Sequence, residues 1–130
     1  MNELDLIKPP INYISFTEER PENFVGWVKS YVTYGETSVE KYSHFVNGKL
    51  NSINGQPSQI EMLAEDQSKI FKCDWHLNNI THRLNGPAEI YCIDEQLKVN
   101  YYINGHRFSE KEYYFDTRVI KHKLNMILDT

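Results

Sequence analysis

Apolar and polar positions along this chain recur in short alternating blocks rather than long periodic spans. Val, Ile, Tyr and Phe alternate with polar residues through Gly26–Tyr34 and Ser38–Val46, with Gly35–Thr37 as the turn between them. The same texture returns in Pro57–Leu63 with Lys69–Leu77, and in Ala88–Ile93 with Leu97–Ile103. These blocks are rich in β-branched and aromatic residues and are bounded by Gly, Pro, Asn or Asp, as strands closed by turns should be. Six strands are predicted, in an antiparallel meander of three β-hairpins. Phe24, Val25, Trp27, Val28, Tyr31 and Val32 also fit a helical stripe. Val and Tyr are poor helix formers, and a partner strand follows, so strand is the expectation there.

Beyond Phe108 the period changes. Ser109 with Glu112 three residues on is a capping box, and the run from Glu110, Glu112 and Asp116 to Lys121, His122 and Lys123 suits the helix dipole. A single helix over Ser109–Leu128 is predicted, with Tyr113, Val119, Ile120, Leu124, Ile127 and Leu128 spaced to cover one side. A lone six-stranded sheet would leave both faces wet, so this helix is expected to pack on one face or cap the last edge. Pro9 and Pro10 interrupt the first segment, which is expected to wrap the first hairpin. The chain therefore reads as one mainly-β domain: a wrap over 1–22, hairpin repeats over 23–107 and a helical segment over 108–130.

The hairpins are copies of one unit. Val46 to Pro57 aligns with Leu77 to Ala88 at an offset of 31, setting Asn47 on Asn78, Asn54 on Asn85 and Gly55 on Gly86. A third copy sets Asn104 and Gly105 on Asn78 and Asn79 at an offset of 26. The lost residues are expected at a hairpin tip, since 65–68 is longer and more polar than 94–96.

The matching stretches are NGKL at 47–50, NGQP at 54–57, HRLNGPA at 82–88 and NGHR at 104–107, preceded by NFVG at 23–26. They resemble the bacterial and phage relatives of membrane-occupation-and-recognition-nexus (MORN) repeats, in which Asn-Gly-Lys is followed by His-Arg and then Gly-Pro-Ala. The resemblance implies a scaffold with a binding role. The phage versions further imply a small accessory protein that engages and inhibits a host or defence protein. Two departures stand out: Asn51 and Ser52 occupy the His-Arg positions of the first connector, and Asn79 replaces a Gly.

Charge and chemistry narrow the function classes. A net charge of −4 argues against direct nucleic-acid binding, which needs clustered cations. No apolar run approaches the roughly 20 residues of a membrane span, and no signal-like segment opens the sequence, so a bacterial or infected-cell cytoplasm is the expected location. The five His residues and Cys73 and Cys92 show no zinc spacing, and there is no HExxH, nucleophile elbow or phosphate loop, so no metal or cofactor is expected.

Stacked hairpins would put Glu36, Glu65, Asp66, Asp94 and Glu95 on a tip edge and Lys49, His82, Arg83, His106 and Arg107 on a connector edge. Solvated tips account for such charges as readily as a docking edge does. His82 and Arg83 either fasten one repeat to the next or face a partner. Of Tyr101 and Tyr102, and of Tyr113 and Tyr114, one member each is expected to be exposed, either filling a cross-strand position or anchoring an interface. The expectation is a non-enzymatic protein-binding module, with an open sheet edge as a route to a homodimer. The competing classes are a metal-independent hydrolase or nuclease working by general acid and base at the His-Arg edge, and a lipid-binding or structural repeat.

Overall fold

The computed structural model describes residues 3–17, 19–66 and 69–129. Three long hairpins stand where the alternation puts them: β2 (Gly26–Tyr34) with β3 (Thr37–Val46), β5 (Gln59–Leu63) with β6 (Ile70–Asp74), and β9 (Glu89–Ile93) with β10 (Gln96–Ile103). The stretch that also fitted a helical stripe is a strand from Gly26 onward. The tip of the second hairpin falls partly on 67–68, outside the described residues, so the predicted site of the length change is described only as far as Asp66.

The sheet has more strands than six, and it is mixed rather than wholly antiparallel. β1 (Ile14–Ser15) runs parallel to β2, pairing Ile14 with Val28, so the first segment adds an edge strand besides wrapping the hairpin. The connectors pair as well: β4 (Lys49–Leu50) folds back on β3, β7 (His76–Leu77) on β8 (Ile80–Thr81), and β11 (His106–Phe108) on β10. The nine-stranded sheet follows the order β1-β2-β3-β5-β6-β9-β10-β11 with β4 on β3, and β7-β8 stands apart. Both edges are blunt, since β1 has two residues and β11 three.

Asn explains the connector turns. Asn47-Gly48, Asn78-Asn79 and Asn104-Gly105 all sit at positive φ, between 48° and 80°. Two-residue hairpins need both central residues left-handed to match strand twist, and Asn and Gly tolerate that conformation best. Gly48 has a second constraint, because a Cβ there would run into the Glu22 carbonyl oxygen.

Alternation sorts the sheet faces. Tyr42, Ile60, Cys73 and Ile90 form one cross-strand row, and Leu4 and Ile7 of the 3-10 turn Glu3–Leu6 pack on that face. The opposite face carries the row Lys41, Glu61, Lys72, Tyr91, Lys98. The capping box forms as predicted, but the helix is two: α1 (Glu110–Phe115) and α2 (Thr117–Leu128). Asp116 is extended, at ψ 134°, and its carboxylate caps α2 by accepting from the Arg118 N–H. Asp competes poorly inside a helix and well at its start, so the break falls there.

The break also changes which apolar residues are covered. Tyr113 and Val119 are buried with Tyr101 and Ile103, whereas Ile120, Leu124, Ile127 and Leu128, expected on the covered side, are exposed. Tyr101 is buried and Tyr102 half-buried; Tyr113 is buried and Tyr114 exposed. Among the described residues, no helix is long and apolar enough to cross a membrane.

Candidate functional site: two edges and a polar face

The repeat is written in hydrogen bonds. The N–H groups of Gly48, Asn79 and Gly105 donate to the carbonyls of Phe24, Leu50 and Thr81, at 2.9, 2.9 and 2.8 Å. Asn51 and His82 N–H groups donate to the carbonyls of His44 and Trp75, both at 3.1 Å. Side chains repeat too. The Asn104 N–H donates to His82 Nδ1 at 2.9 Å, and the Asn78 N–H donates to Asn51 Oδ1 at the same 2.9 Å. Asn51, which displaces the His of the motif, thus supplies the same acceptor to the next turn.

That bond fixes the chemistry of His82. A backbone N–H can only donate, so Nδ1 is the lone-pair nitrogen and the ring is the neutral Nε2–H tautomer. Partial burial, and then the Arg118 charge, hold its pKa below the ordinary value. Taking a second proton would cost the Asn104 bond, and general acid-base turnover needs that proton to come and go.

Arg83 points inward. Its guanidinium reaches both Glu3 carboxylate oxygens, donates to the Pro87 carbonyl at 3.0 Å and lies 3.8 Å from the Trp75 ring centre. With 10% of the side chain exposed, it clasps the first segment to the second connector. Beneath it, the Tyr113 hydroxyl donates to the Arg83 carbonyl at 2.6 Å and accepts from the Gly86 N–H at 3.1 Å.

Lys49, His106 and Arg107 are exposed, and Arg107 donates to Asn100 Oδ1 at 2.8 Å. The connector end therefore gathers Lys49, His82, His106 and Arg107 but turns Arg83 away. A cleft of about 400 Å³ beside it is lined by His76, His82, His122, Trp75 and Met126 among others. Burial lowers the His76 pKa as well, and its Nδ1 sits 2.6 Å from Ser58 Oγ. Among the described residues, no three His, Cys, Asp or Glu side chains are grouped to hold a metal ion.

At the other end the three tips lie side by side, because β3 pairs with β5 and β6 with β9 in the meander. Glu36, Glu65, Asp94 and Glu95 are exposed there and Asp66 is half-buried. The third tip is unusual: Asp94 and Glu95, at φ 51° and 64°, fill a two-residue turn with both residues left-handed, which in the connectors is built from Asn-Gly or Asn-Asn, whereas the first tip, Gly35-Glu36, places only its Gly there.

The sequence reading passed over the polar sheet face. Glu61, 1% exposed, accepts from the Tyr34 hydroxyl at 2.7 Å and lies 3.7 Å from Lys72 Nζ, which is also 3.9 Å from Asp74 Oδ2. Asp74 Oδ1 has no hydrogen-bond partner among the described residues, and burial pushes the carboxyl up to about 6. The alternation of IEML and FKCD already assigned these charges to one face; their burial follows from the neighbouring Tyr34, Tyr91 and Lys side chains, which no single strand reveals. Comparison with known family models, curated proteins and solved structures returns no match.

Proposed function

We propose that the chain is a non-enzymatic protein-binding module that docks a basic surface of its partner through the tip edge. In keeping with the resemblance to phage MORN-like repeats, the partner is a host or defence protein that this accessory chain inhibits. The observation that carries the reading is the Asp94-Glu95 tip. A glutamate held left-handed costs on the order of 1 kcal/mol relative to Gly, and Asn-Gly is the residue pair such a turn prefers. Carboxylates kept where the fold would favour Asn-Gly point to use outside the fold. Glu36 and Glu65, exposed on the neighbouring tips, extend the same charge along the edge.

Against the hydrolase alternative stands the neutral, fixed tautomer of His82. The test separates stability from binding. Asp94→Asn with Glu95→Gly should raise the melting temperature by roughly 3 °C, as about 1 kcal/mol does in a domain of this size. The same variant should lose the protein captured by the wild type from a host lysate, and wild-type capture should weaken with salt. Undiminished capture by the stabilised variant would remove the tip edge from consideration.

A further inference from the structure

α2 has two apolar faces. Val119 is 1% exposed and His122 half-buried, and both turn toward the domain, where Met126, itself 44% exposed, lines the same cleft as His122. Ile120, Leu124, Ile127 and Leu128 are 41%, 54%, 68% and 79% exposed. At about 100° per residue these four centre roughly 150° from the inward set. Their spacing of four, three and one is that of a helix anchoring in a groove. Lys121 and Lys123 fall between the two faces, one on each flank of the outer stripe. Arg118, the third cation of α2, is already matched by Asp116 at 2.9 Å.

Charge decides what covers the stripe. α2 contains no acidic residue, so a chain of net −4 carries +3 here and −7 elsewhere. A second copy pairing about a two-fold axis would set Lys against Lys whether the helices ran parallel or antiparallel. An anionic bilayer would repel a domain that carries −7 outside this helix. We propose that the outer face of α2 docks an acidic amphipathic helix of a partner protein, whose apolar seam covers Ile120, Leu124 and Ile127 and whose carboxylates meet Lys121 and Lys123.

The probe is a fluorescein-labelled 21-residue helical peptide with Leu and Ile at the seam and Glu flanking it, compared with the same peptide carrying Lys flanks. Anisotropy titration with the full chain should give binding at least about tenfold tighter for the Glu peptide, weakening with salt. Leu124→Glu should reduce that affinity at least about tenfold while leaving the melting temperature unchanged, since the side chain is exposed. Lys121→Glu with Lys123→Glu should reverse the peptide preference. Equal binding of the two peptides, absence of binding, or an unaffected Leu124→Glu variant overturns the proposal. So does sedimentation with phosphatidylglycerol vesicles, or dimerisation that Leu124→Glu abolishes, in place of peptide binding. The tip variant Asp94→Asn/Glu95→Gly should bind the peptide as the wild type does, so failure at one surface leaves the other standing.

Discussion

Replacing His82 by Asn and by Ala should give two different proteins, because Asn51 already shows what an Asn does at this position. Alanine removes the acceptor of the Asn104 N–H, a bond of 2.9 Å at the surface where water can substitute, along with the packing of a half-buried ring. The expected loss is about 1–2 kcal/mol. Asparagine keeps an acceptor in the geometry that Asn51 Oδ1 adopts toward Asn78, also 2.9 Å, and should cost less than about 0.5 kcal/mol. Urea unfolding monitored by tryptophan fluorescence resolves that difference.

The pH dependence separates the variants a second time. His82 has a folded pKa below its unfolded value of about 6.5, so the unfolded chain takes up the proton first. The stability it contributes is complete above that pH and is lost as pH falls below it, with a slope under about 1.4 kcal/mol per pH unit. Because the ring is only half-buried, the slope should lie well inside that limit. Asp74, raised to about 6, acts in the opposite sense over more acid pH and is present in both proteins, so it cancels from the difference. His82→Asn should thus gain on the wild type as pH falls below about 6.5. An Asn variant as unstable as the Ala variant, or parallel pH curves, would refute the equivalence of Asn51 and His82.

Arg83→Ala should cost about 2–3 kcal/mol, since it removes a largely buried guanidinium with its carboxylate and carbonyl partners and its stack on Trp75; Arg83→Lys should recover little, lacking both fork and stack. Glu3→Gln should cost less in the same urea assay, because the Glu3 side chain is 37% exposed. Gly48→Ala should be far more destabilising by thermal melt than Gly55→Ala: both positions are left-handed, but only at Gly48 does a Cβ collide with backbone.

The hairpins were legible because alternation and Asn-centred turns are local signals, and the offsets of 31 and 26 locate equivalent backbone hydrogen bonds. Two-residue strands such as β1 and β4 have no period to detect. The helix break did carry a signal: Asp116 before Thr117 is a good N-cap, which the dipole argument absorbed as merely another acid. Arg83 was legible as a repeat marker and not as a clasp, since its acidic partner lies 80 residues away at Glu3. For the tip carboxylates, the sequence supplied the residues and the left-handed dihedrals supplied their cost.

The Glu3–Arg83 clasp makes this array a counted one. An open solenoid can gain or lose a unit by internal duplication, because each repeat meets only its neighbours. Here the head of the chain is bolted to the connector of the second hairpin. An extra hairpin inserted before Arg83 would displace that connector by two strand widths, about 10 Å, beyond what one Glu side chain can follow. The N-terminal turn therefore serves as a gauge of length, and lineages that lengthen the array must first surrender or rebuild this contact.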